Sequence, residues 1–116
     1  MPQFLIQVAY SSRGRAALVR NPQNREEAIR PLVDGLGGTM DGFWFCLGTY
    51  DVVALVDFPD NVTATALAMA VSSSPAVAAY NTTLLLSTEE GIEAMRRAGG
   101  ASYVSPEGSA EGTYSA

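Results

Sequence analysis

The sequence predicts an α+β fold of the ferredoxin-like kind, β-α-β-β-α-β with an antiparallel sheet and an extra C-terminal helix. Three observations predict it. Apolar runs of strand length occur four times, at 4–10, 39–48, 51–58 and 76–87. Helical spacing fills 24–38 and 61–73, between the first and second runs and between the third and fourth. Only Gly48-Thr49 separates the second run from the third, which predicts an antiparallel hairpin.

Each element follows from its residues. In FLIQVAY, Phe4, Ile6 and Val8 share one face, and Leu5, Gln7 and Ala9 share the other. Ser11 and Ser12 offer an N-cap for a short helical turn through RGRAALVRN, which Asn21-Pro22 breaks. Asn24 caps the main helix, and Glu26 and Glu27 suit its positive end. Ala28, Ile29, Leu32, Val33 and Leu36 form its stripe, Pro31 complicates it, and Gly37-Gly38 ends it. In the second strand, Asp41-Gly42 marks a bend or bulge, Phe43, Phe45 and Leu47 point one way, and Trp44 and Cys46 the other. The third strand, DVVALVDF, is apolar on both faces up to Asp57. Asp60 caps a small-residue helix whose face carries Val62, Ala66, Leu67, Met69 and Ala70. After Pro75 comes the fourth strand, then a helix opening at Thr88 with Glu89-Glu90 and closing on Arg96-Arg97. The expected division is a domain at 1–98 and a flexible tail at 99–116.

A sheet with both helices on one face leaves its other face bare. That face carries apolar residues, so it needs a cover, and the expected cover is the sheet of a second copy. The expected partner is therefore the chain itself, as a homodimer or higher oligomer.

Composition removes several kinds of chemistry. The 116 residues contain no His, and no Lys occurs in the sequence. Histidine bases, histidine ligands and lysine Schiff bases are thereby absent. A single Cys excludes an internal disulfide and a cysteine-based zinc site, and it fits a reducing, cytoplasmic setting. Net charge is −5 with no basic cluster beyond Arg13/Arg15 and Arg96/Arg97, so nucleic acid is not an expected partner. No apolar stretch reaches the roughly 18 to 20 residues that span a membrane. No metal or cofactor is expected.

Gly48-Thr49-Tyr50-Asp51, the apolar strand after it, Pro59-Asp60 and the small-residue helix together resemble the GYD domain family. MPQFLIQVAY, the segment 24–38 and NTTLLLS look like it too, so the likeness spans roughly residues 1 to 98. The resemblance implies a ferredoxin-like domain in a dimeric α/β-barrel assembly, without implying a particular reaction. The strand pair and the Pro-Asp helix start are also similar to the ligand-binding domain of leucine-responsive regulators. That likeness implies dimers binding small molecules, often amino acids, at subunit interfaces. The helix-turn-helix of those regulators has no counterpart here, so DNA binding does not carry over.

The candidate ligand-binding residues are Tyr10, Arg13, Trp44, Gly48, Tyr50 and Asp51. All but Tyr10 also have a structural reading. Gly48 supplies backbone freedom at a turn. Tyr50 packs at an interface or reaches a ligand. Asp51 bonds backbone amides at its turn or acts as an acid or base. Trp44 packs in the core or a dimer contact. Arg13 either sits at a solvated helix start or clamps an anion. Pro2, exposed if Met1 is removed, offers a secondary amine of the kind used in the tautomerase superfamily, to which this N-terminus is superficially similar. The expected function is small-molecule binding by a homo-oligomer, with a pocket near the Gly-x-Tyr-Asp turn. One alternative is a cofactor-free isomerase, cyclase or small oxygenase using Asp51, Tyr50 or Pro2. The other is a purely structural assembly subunit.

Overall fold

The structure, a computed structural model, describes residues 1–108 and the backbone of 110 and 111. It divides into two units, Met1–Leu85 and the segment from Leu86 onward. The first unit contains strands β1 (Gln3–Tyr10), β2 (Thr39–Phe45), β3 (Val52–Asp57) and β4 (Val77–Leu85), and helices α1 (Ser12–Arg20), α2 (Arg25–Gly35) and α3 (Asn61–Ser72). The sheet order is β2-β3-β1-β4, and every neighbouring pair is antiparallel. With the crossovers through α2 and α3, this is the ferredoxin-like arrangement that the sequence predicts.

One face of the sheet makes the core. Phe4, Ile6 and Val8 of β1 and Val52, Ala54 and Val56 of β3 are buried there, against Val33 of α2 and Leu67 of α3. The largest fully buried side chain, Phe58, meets Phe4 at a ring separation of 6.1 Å. On the opposite face stand Leu5, Gln7 and Ala9, paired with Thr83, Asn81 and Ala79 on one side and with Leu55 and Val53 on the other.

The caps explain where the helices begin. Ser11 Oγ accepts from the Gly14 amide to start α1, and its hydroxyl donates to the Pro75 carbonyl at 2.7 Å. Asn24 caps α2 by accepting from the Glu27 amide, and α2 continues through Pro31. It ends in a Schellman motif: the Gly37 amide donates to Asp34 O, the Gly38 amide to Val33 O, and Gly37 has φ 82°. Asp60 caps α3, accepting from both the amide and the hydroxyl of Thr63.

Two expectations change in the structure. The β2–β3 connection is not a two-residue turn: β2 ends at Phe45 and β3 starts at Val52. The cause is Asp51, whose amide donates to Val8 O and whose side chain is drawn to β1, so the loop spans 46–51. On α3, Val62 and Met69 are 79% and 68% exposed, and the buried stripe is Ala64, Leu67 and the partly buried Val71. This helix is apolar almost all round, so its periodicity does not select a face. The last helix, α4 (Thr88–Gly99), opens at Thr88 as expected, and Ser87 caps it in a capping box with Glu90. The bulge expected at Asp41-Gly42 is present, between Met40 and Gly42.

The second unit consists of α4 and the short pair β5 (Tyr103–Val104) and β6 (Ala110–Glu111). Glu93 pairs with Arg96 and Arg97 on the surface of α4. Of the tail expected from residue 99, residues 109 and 112–116 lie outside the described residues. No helix is long and apolar enough to cross a membrane among the described residues.

Candidate functional site

Between the inner sheet face and helices α2 and α3 lies a cavity of about 260 Å³. Its walls are apolar: Ile6 and Val8 from β1, Ile29 and Val33 from α2, Leu67 and Val71 from α3. They leave a gap because α3 offers small residues to the sheet, with Ala70 among those lining the space. The charged and phenolic groups of the lining are few. Among the described residues they are Tyr10 at the end of β1, Arg25 at the start of α2, and Tyr80 on β4.

Both phenols are kept neutral. Burial pushes the Tyr10 hydroxyl above the ordinary phenol range, with Arg25 opposing and the Asp51 charge adding a smaller upward push. Burial also pushes Tyr80 up to about 12, offset only in part by Thr82. The Tyr80 hydroxyl is buried and has no hydrogen-bond partner among the described residues, Thr82 included. The Arg25 guanidinium donates to the neutral Gln23 side chain at 2.8 Å.

The Gly-x-Tyr-Asp loop supports this site from behind. The Asp51 carboxylate accepts from the Tyr10 amide at 2.8 Å, across 41 residues of sequence. Its own amide donates to Val8 O at 2.8 Å, so loop and strand end are stitched together at two points. Arg15 adds to the corner. Its guanidinium donates to Tyr10 O at 2.7 Å and stands 4.0 Å from the Asp51 carboxylate. Tyr10 sits where the β1–β4 register shifts, and the strand ladder holds such a residue less firmly. Asp51 thus fixes the backbone of the residue whose ring lines the cavity. Within the loop, the Cys46 amide donates to Asp51 O, and the Cys46 thiol lies 3.1 Å from Tyr50 O.

Among the residues singled out from the sequence, Tyr10 lines the cavity. Asp51 touches the backbone of Tyr10, and Tyr50 and Gly48 lie in the loop beside it. Gly48 has φ 155° with open space around its Cα. Trp44 is on the outer sheet face, half exposed, with its ring folded over Gly42. Arg13 is exposed on α1. Pro2 is at the opposite end of β1 from Tyr10, where its carbonyl accepts from the Phe58 amide. Sequence reasoning missed Arg25 and Tyr80. Arg25 did leave a signal, since a cation in the first turn of a helix opposes the dipole and calls for a reason. Tyr80 shares the inner face with Val8, its cross-strand partner, as strand periodicity would place it once the register is known.

Fold and site together define a ferredoxin-like α+β domain with an apolar cavity between sheet and helices. Its sequence matches the GYD domain over residues 4–95, and the chain belongs to the GYD domain family. No curated protein and no solved structure matches it significantly.

Proposed function

We propose that this protein binds a small molecule in the cavity between the sheet and helices α2 and α3, and that it does so as a homo-oligomer. The observation that carries the reading is the cavity itself: about 260 Å³ of apolar space with a few polar groups, among them Tyr10 and Arg25. Cavities of this kind, with few polar groups in an apolar wall, are the usual form of small-molecule sites. The Gly-x-Tyr-Asp loop serves the site by holding Tyr10 in place. Oligomer formation is supported by the outer sheet face, where Leu5, Ala9, Trp44, Val53 and Leu55 lie together. The occupant proposed for that face is a second copy of the chain.

Indole titration followed by methyl NMR tests the cavity. Saturable shifts at Ile6, Val8, Ile29 and Leu67, abolished by the space-filling Val71→Phe, are expected. Shifts that never saturate, or that persist unchanged in Val71→Phe, would sink the reading. Sedimentation tests the assembly: the wild type should run as a dimer or larger, and Val53→Arg should shift it toward monomer.

A further inference from the structure

We propose that the ligand is a small apolar monocarboxylate whose carboxylate is received by the Arg25 guanidinium and the Tyr10 phenol while its apolar body fills the cavity. This rests on the cavity reading above and adds the chemical class of the occupant.

The charges around the site leave Arg25 unmatched. Arg30 is paired with Glu26 one turn further along α2. Arg15 stands beside Asp51. Arg25, by contrast, has only uncharged side-chain neighbours, Gln23 and the Tyr10 phenol, and no carboxylate within ion-pairing distance among the described residues. A partly buried guanidinium facing apolar space is poorly satisfied until an anion reaches it. Arginine can only donate, and a neutral phenol beside it can donate as well. The polar end of the cavity therefore favours a ligand group that accepts. One guanidinium and one hydroxyl match the two oxygens of a carboxylate. A phosphate dianion would call for more positive charge than one arginine supplies.

The same lining argues against an amino acid. Among the described residues no Asp or Glu lines the cavity, so the ammonium of a zwitterion would be buried without a counter-charge. The nearby carboxylate of Asp51 already accepts from the Tyr10 amide and stands beside Arg15. Size narrows the class further. An apolar cavity of ~150 Å³ accommodates benzene. Scaled to the about 260 Å³ here, the body and head together come to about ten non-hydrogen atoms.

The test compares three probes of nearly equal shape: hydrocinnamate, hydrocinnamyl alcohol and phenylalanine. Each is titrated into the full chain by NMR, with indole as a control for the cavity. Hydrocinnamate should bind at least roughly tenfold more tightly than the alcohol, as a hydrogen-bonded charge implies. It should exceed phenylalanine by a similar factor. The Arg25 Nε–H signal should move with the acid and not with the alcohol. In Arg25→Gln the preference for acid over alcohol should vanish while indole binding stays intact, and Arg25→Lys should restore part of it. Equal binding of acid and alcohol, tighter binding of phenylalanine, or an acid preference that survives Arg25→Gln would each overturn the carboxylate assignment. If indole still binds in those cases, the cavity reading survives alone. If neither indole nor any probe binds saturably, the cavity reading falls and the assignment falls with it.

Discussion

Replacing Asp51 separates the two roles a carboxylate can have at this corner. In the structure it accepts one hydrogen bond, from the Tyr10 amide at 2.8 Å, and faces Arg15 at 4.0 Å. The amide bond is charge-assisted and part-buried, which sets its value at about 2 kcal/mol. The ion pair is long, and the two side chains are 58% and 31% exposed, so it contributes below about 0.5 kcal/mol. Asp51→Ala should therefore cost about 2 kcal/mol. For a domain of this size that lowers Tm by roughly 8 to 16 °C. Asp51→Asn keeps an acceptor oxygen and should cost about half as much. The assay is urea unfolding at neutral pH, with amide exchange read at Tyr10. Exchange at Tyr10 should accelerate in Asp51→Ala more than exchange at Ile6, deeper in the same strand. A double-mutant cycle with Arg15→Ala should give a coupling below about 0.5 kcal/mol. The reasoning is refuted if Asp51→Ala is as stable as wild type. It is equally refuted if the coupling to Arg15 accounts for most of the loss.

Gly14→Ala should destabilise by about 3 kcal/mol in urea unfolding, because its Cβ would stand 2.2 Å from the backbone oxygen of Ala76. A loss below about 1 kcal/mol would mean that α1 is not pressed against this chain segment. Tyr80→Phe removes a buried hydroxyl without a partner among the described residues, so it should leave the unliganded protein equally stable or more stable by about 1 kcal/mol. A clear loss in thermal unfolding would show a hydrogen bond at that oxygen. Asp57 is held above the usual carboxylate range by desolvation and then by neighbouring Asp41. A raised folded pKa means that the group's stabilisation is present at low pH and is lost as pH rises through the carboxylate range. Asp41→Asn should therefore be more stable than wild type at pH 7, with the gap closing on acidification. A gap that is constant with pH would contradict this.

Local signals in the sequence determined a large part of this protein. Strand and helix order, the caps at Ser11, Asn24 and Asp60, the inward face of Phe4, Ile6 and Val8, and the bulge after Met40 all depend on residues close in sequence. Period and side-chain chemistry are enough to read them. The Gly-x-Tyr-Asp stretch was legible as a corner of the fold for the same reason. What lay beyond the sequence depended on distance in the chain. The acceptor role of Asp51 toward Tyr10 spans 41 residues. The face that α3 buries is set by the sheet it meets, because its apolar residues run all round the helix. Arg25 and Tyr80 come from separate elements and share a cavity only after α2 and β4 pack around β1. A cavity is the space that packed elements fail to fill, so only the tertiary structure could decide where it is and which polar groups line it.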